Sequence, residues 1–177
     1  MTQFPDRAFN EAVRVMAKKV WRLGYDTSDD AGYAAAPGSI GSHYDSVEAY
    51  FAGISERHRV TVYMGGSDNT IFGEPDFNYD FRAWHEWTHW TLRAPFDLDG
   101  ELAVAHRQCQ DLAKVFGHGI QFDRWQRYIM AEVYGQALAR HKTGSFPIRQ
   151  DWFDANYVNG DLEYAINCNM TIRARPQ

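Results

Sequence analysis

The sequence predicts an α+β domain, mostly helical, with a small sheet beside one helix that carries metal-ligand residues. Apolar residues recur at three- and four-residue spacing over most of the chain, the helical period. One stretch, Arg59-Val60-Thr61-Val62-Tyr63-Met64, is instead β-branched and alternating, the pattern of a half-buried strand. No repeat, low-complexity tract or long linker divides the 177 residues, so a single domain over 1–177 is expected.

The elements follow in order. Asp6 to Arg22 reads as a helix, with Phe9, Ala12, Val13, Met16, Val20 and Leu23 in register, basic residues in the last turns and Gly24 as its stop. Tyr25 to Ser42 is rich in Gly, Ala, Asp and Ser and reads as a loop. A helix from Ser46 to about Arg57 carries Val47, Tyr50, Phe51 and Ile54 on one side. The strand at 59–64 comes next, then a Gly-Gly turn and a short second strand at Thr70–Phe72. From about Tyr79 to Leu92 a helix is expected, which Pro95 ends. Gly100 to Phe116 is amphipathic, and Trp125 to His141 forms another helix. Gln150 to about Ala174 reads as one or two more, broken at Gly160.

Composition narrows the function. An apolar share of 45% and a charged share of 23% are those of a folded globular chain rather than a disordered one. A net charge of −5 with no basic cluster argues against a nucleic-acid surface, which needs grouped Lys and Arg. The two cysteines, Cys109 and Cys168, form no CxxC spacing and give neither a disulfide framework nor a thiolate metal site. No signal pattern opens the chain and no apolar run reaches membrane-spanning length, so no membrane partner and a cytoplasmic location are expected.

The chemistry is concentrated in Trp84-His85-Glu86-Trp87-Thr88-His89-Trp90, which contains H-E-x-x-H inside a segment read as helical on independent grounds. Residues four apart share a helix face, so His85 and His89 can converge on one metal ion. Zn2+ accepts neutral imidazole nitrogens, and a catalytic site keeps one tetrahedral position for water. Glu86, beside the first ligand, is placed to take a proton from that water as general base. This predicts a zinc-dependent metallopeptidase acting on a peptide or protein substrate, which the strand at 59–64 holds by edge pairing. The alternative is a non-catalytic binding module that keeps the fold and contacts another protein. An intact Glu86 favours the enzyme.

Two histidines need a third ligand. The metzincin continuation requires glycine at position 92 and histidine at position 95, and Leu92 and Pro95 stand there. Downstream candidates are Glu101, His106, Asp111, His118, Asp123, Glu132 and His141. Glu132 is the expected ligand, because it is the one carboxylate in the apolar stretch Tyr128-Ile129-Met130-Ala131-Glu132-Val133-Tyr134, where a buried charge requires a partner. The alternative for it is an exposed helix-surface position. Tyr128 or Tyr134 is a candidate donor to a developing oxyanion, and core packing is the competing reading for each. Gln136 shares the face of Glu132 and could orient a ligand.

The motif with its Trp90-Thr91 continuation, followed by Glu132-Val133-Tyr134-Gly135-Gln136-Ala137, resembles the metallopeptidase domain of ArdC-type antirestriction and phage polyvalent proteins. The stretch Asp68-Asn69-Thr70-Ile71 and the segment around Trp152 and Ala165 are similar too. The resemblance implies a zincin-like fold, His85, His89 and Glu132 as zinc ligands, Glu86 as base, and a phage or mobile-element setting in a bacterial cell. ImmA/IrrE-type peptidases share the same ligand logic. Gln136 stands where that family usually has an acid. The single-stranded DNA-binding domain of ArdC-type proteins has no counterpart in this chain, so antirestriction activity is not implied.

Overall fold

The computed structural model describes residues 4–22, 24–160 and 162–167. It is mostly helical, with a two-stranded parallel sheet, as the sequence predicts.

Helix α1 spans Arg7–Val15 and continues as a π-turn over Met16–Val20. The Asp6 carboxylate caps it by accepting from the amides of Ala8 and Phe9. Position 23, expected on the same face, lies outside the described residues. Strand β1, Gly24–Ser28, occupies part of the segment read as a loop. It pairs in parallel with β2, Arg59–Tyr63, from Gly24 opposite Arg59 to Ser28 opposite Tyr63. The sequence hid β1 because polar ties hold it in place of β-branched packing. The Arg59 guanidinium donates to both Asp26 carboxylate oxygens, at 2.6 and 2.9 Å, and to the Tyr25 carbonyl at 2.8 Å.

Between the strands, α2 (Val47–Arg57) begins at Ser46, whose hydroxyl accepts from the Ala49 amide at 3.1 Å. It packs Tyr50, Phe51 and Ile54 inward. Thr70–Phe72, expected as a second strand, is a turn. Ile71 and Phe72 are buried there, and Asn10 Nδ2 donates to the Phe72 carbonyl at 2.8 Å.

Helix α3 runs from Pro75 to Leu92, starting earlier than expected because Pro75 takes the first helical position, where a missing N–H costs nothing. It ends at Arg93 in the left-handed conformation, φ 54°. Residues 93–97 turn the chain into α4, Leu98–Phe116, capped by the Asp97 carboxylate on the Gly100 amide at 2.9 Å. Helix α5 (Ile120–Met130), a π-turn over Ala131–Gly135 and α6 (Gln136–Thr143) form one near-continuous helical stretch. Helix α7 is Gln150–Val158, and residues 162–167 are helical again after Gly160 at φ 90°. The expected continuation toward Ala174 lies outside the described residues.

Helix α3 lies between two hydrophobic clusters. Phe81 and Trp84 face one, with α1, α4 and α5, while Ala83 and Trp87 face the other, with α2 and β2. Both flanks of α3 are thereby committed to packing, and His85, Glu86 and His89 take the remaining direction. Cys109 is free and buried, and Cys168 lies outside the described residues. Among the described residues no helix is long and apolar enough to cross a membrane.

Candidate metal centre

His85 and His89 stand one turn apart on α3 with ring centroids 4.6 Å apart. The carboxylate that meets them is Glu101, in the first turns of α4. Its Oε2 lies 3.5 Å from His85 Nε2 and 3.5 Å from His89 Nε2. One ligand atom from each of the three residues falls within 4.8 Å of the others.

Local sequence explains why Glu101 arrives there. The Arg93 turn folds the end of α3 back, with the Ala94 amide donating to the His89 carbonyl at 3.1 Å. A Cβ on Gly100 would sit 1.9 Å from the Pro95 carbonyl oxygen, so only glycine permits this close approach. The first turns of α4 are thus drawn against the last turn of α3, and Glu101 is brought across from the imidazoles.

The spacing fits a shared ion better than hydrogen bonds. An N–H···O bond is about 2.7–3.2 Å long. Two ligand atoms each about 2.0–2.2 Å from a tetrahedral zinc lie roughly 3.3–3.6 Å apart. His89 fixes the protonation pattern as well. Its Nδ1 lies 3.1 Å from the Ala94 carbonyl, which can only accept, so Nδ1 carries a proton and Nε2 is the nitrogen turned toward Glu101. His89 Nε2 is buried without a hydrogen-bond partner, facing a carboxylate oxygen. A cation satisfies both, either the second proton of an imidazolium or a metal ion, and the 3.5 Å spacing suits the metal ion. Phe96 stacks on the His89 ring at 4.2 Å and fixes its plane.

The two imidazoles shift in opposite directions. Burial pushes His85 down to about 4, which keeps it neutral, the form that binds metal. Burial opposes charge on His89 too, but the Glu101 carboxylate outweighs it and raises its pKa. Glu101 is held below the ordinary glutamate value despite burial, because both imidazoles favour its charged form.

Glu86 lies beside the group in a cleft of about 360 Å³, shared with His85, Glu101, Tyr50 and the Thr61–Tyr63 segment of β2. The Tyr50 hydroxyl donates to Glu86 Oε2 at 2.6 Å. Burial raises the Glu86 pKa, which makes it a stronger base. Arg82, one turn earlier on α3, donates through Nη1 to the Tyr63 and Gly65 carbonyls and so binds α3 to the end of β2.

The other expected site residues sit elsewhere. Glu132 lines the same cleft, but its partners are Gln136 and Asp154 rather than the imidazoles. Gln136 Nε2 donates to Glu132 Oε2 at 2.8 Å and to Asp154 Oδ2 at 3.0 Å. Asp154 is fully buried, and burial together with the Glu132 charge holds its pKa well above the usual range, so it keeps its proton. A Cβ on Gly135 would meet the Tyr157 ring at 2.8 Å, so this glycine lets α7 approach and deliver Asp154. The half-buried Glu132 carboxylate thus has partners of its own in Gln136 and Asp154, and it is not brought together with the imidazoles. Tyr128 is a core ring against Phe9 and Phe4, with centroids 5.2 and 5.0 Å away, and Tyr134 packs on the same core. Neither lines the cleft.

Tyr50 read in sequence only as part of an apolar face, and Glu101 stood among the downstream ligand candidates but was passed over for Glu132. A further residue, Gln108, is fully buried on α4 beside His85. No known protein family, curated protein or solved structure matches the chain. What stands without them is a mostly helical domain with a His85–His89–Glu101 group able to hold a metal ion.

Proposed function

We propose that the protein is a zinc-dependent peptidase of the zincin type. The observation that carries the reading is the juxtaposition of a His-His-Glu group, two of whose members, His85 and Glu101, line one cleft, with a half-buried carboxylate held by a phenol in that cleft. A metal-binding site with a purely structural role has no use for Glu86 in that position.

A zinc ion held by His85, His89 and Glu101 supplies Lewis acidity, polarising a carbonyl and making water more acidic. Tyr50 engages Glu86 Oε2 and leaves Oε1 as the oxygen that takes a proton from water and returns it to the leaving amine. The Thr61–Tyr63 edge of β2 receives the substrate as an added strand, through backbone groups not used in pairing with β1. Arg82 holds the end of that strand against α3, keeping substrate and base in register. The ArdC-type assignment and the bacterial, phage-associated setting rest on the resemblance in Trp84–Thr91 and the helix around Glu132.

The test is zinc-loaded protein incubated with a mixed peptide library and read by mass spectrometry, beside Glu86→Gln. New peptide termini that appear with the wild type and vanish with Glu86→Gln, at equal zinc content, are expected. Biological activity that survives Glu86→Gln, with no cleavage by either protein, would establish the binding-module alternative.

A further inference from the structure

Gln108 occupies a position where a leucine would be expected: the inner face of α4, fully buried, seven residues beyond Glu101 and so on the same side of the helix. Both its amide atoms are buried without a hydrogen-bond partner, and so is Nδ1 of His85. A buried amide is costly unless something engages it. Gln108 nevertheless lies against His85, near enough for the two side chains to share a hydrogen bond. The two imidazoles thus differ in one respect. His89 Nδ1 is already anchored on the Ala94 carbonyl, whereas His85 Nδ1 is buried without a hydrogen-bond partner.

We propose that Gln108 is the positioning residue of His85. Its side-chain carbonyl accepts from His85 Nδ1–H, fixing the tautomer whose Nε2 lone pair points toward Glu101, as the Ala94 carbonyl does for His89. Metal binding draws the His85 ring into this bond. The helix that supplies the carboxylate ligand therefore also orients the imidazole opposite it, and Gln108 acts on the ion through His85 without touching it. This rests on the metal-centre reading above. Outer partners of this kind set ligand orientation and basicity, and their loss typically lowers metal affinity by about 10- to 100-fold.

The experiment is titration of metal-free protein with zinc in competition with a chromophoric chelator, and with Co2+ read by its visible absorption. Wild type is compared with Gln108→Met, which keeps volume without the acceptor, and Gln108→Glu, which keeps the acceptor. The expected result is a drop of about 10- to 100-fold for Gln108→Met, with metal-free melting and circular dichroism unchanged, and wild-type or tighter affinity for Gln108→Glu. Equal affinity of Gln108→Met and wild type would overturn the proposal. So would equal weakening in both variants alongside lowered metal-free melting, which marks a packing role. A wild type that binds neither ion overturns the metal-centre reading itself and this proposal with it, an outcome distinct from the other two.

Discussion

Replacing Glu101 by Gln keeps size and shape but removes the anionic oxygen that lies 3.5 Å from both imidazoles. The size of the effect follows from linkage. Zinc at about 100 times its dissociation constant stabilises a folded protein by roughly 2.7 kcal/mol. In a chain of 177 residues each kcal/mol moves the melting temperature by about 2–4 °C, so the wild type should gain roughly 5–10 °C. Loss of a direct ligand should exceed the roughly 100-fold upper limit for an outer partner. The same zinc concentration then lies near or below the variant's dissociation constant, and the gain shrinks to about 0.4 kcal/mol, roughly 1–2 °C. Glu132→Gln should keep the full wild-type gain, because Glu132 is held by Gln136 and Asp154. The assay is thermal melting with and without zinc, each variant against its own metal-free form, with elemental analysis of the same samples. A zinc shift retained in Glu101→Gln and lost in Glu132→Gln would refute the geometry and restore Glu132 as the ligand.

Two further predictions follow from packing and charge. Gly100→Ala should destabilise the protein by about 1–3 kcal/mol, toward the upper end because the new methyl group meets backbone at Pro95, and should weaken zinc binding by displacing Glu101. Unchanged melting and zinc affinity would contradict the close approach. Asp154 is protonated when folded and ionised when unfolded at neutral pH, so its contribution weakens as pH rises above its ordinary value of 3.8. Asp154→Asn preserves acceptance from Gln136 and donation to Glu132 without needing a proton. It should be more stable than wild type at pH 8, the gap closing toward pH 4, and urea unfolding at the two pH values checks the sign.

The parts of this fold legible in sequence were those written in periodicity or in one motif. The helix faces of α1, α2 and α4 and the alternation of β2 each follow from local pattern. The motif helix was legible too, because Trp84 and Trp87 belong to opposite clusters and leave one direction for His85 and His89. Strand β1 was not, since Gly-Tyr-Asp-Thr-Ser carries no apolar alternation and depends on a distant arginine. Glu132 drew attention because its surroundings are apolar, and it is half-buried at the cleft. Sequence does not say whether such a charge is met by an ion or removed by a proton, and Asp154, far along the chain, decides that. Glu101 looks like an ordinary acid favouring a helix N-terminus. The signal available was geometric: a short turn after the second histidine places the next helix's first turns beside it, and Gly100 marks the approach.

The His85–His89–Glu101 group belongs wholly to the α3–α4 hairpin, whereas Glu86 depends on Tyr50 from α2, outside that hairpin. On the peptidase reading proposed above, ion retention and turnover therefore report on different amounts of intact structure. A partly melted or truncated chain that preserves the hairpin can still capture zinc while its base has lost the phenol that orients it. In damaged preparations zinc content should outlast turnover, and stoichiometric metal is by itself no measure of active protein.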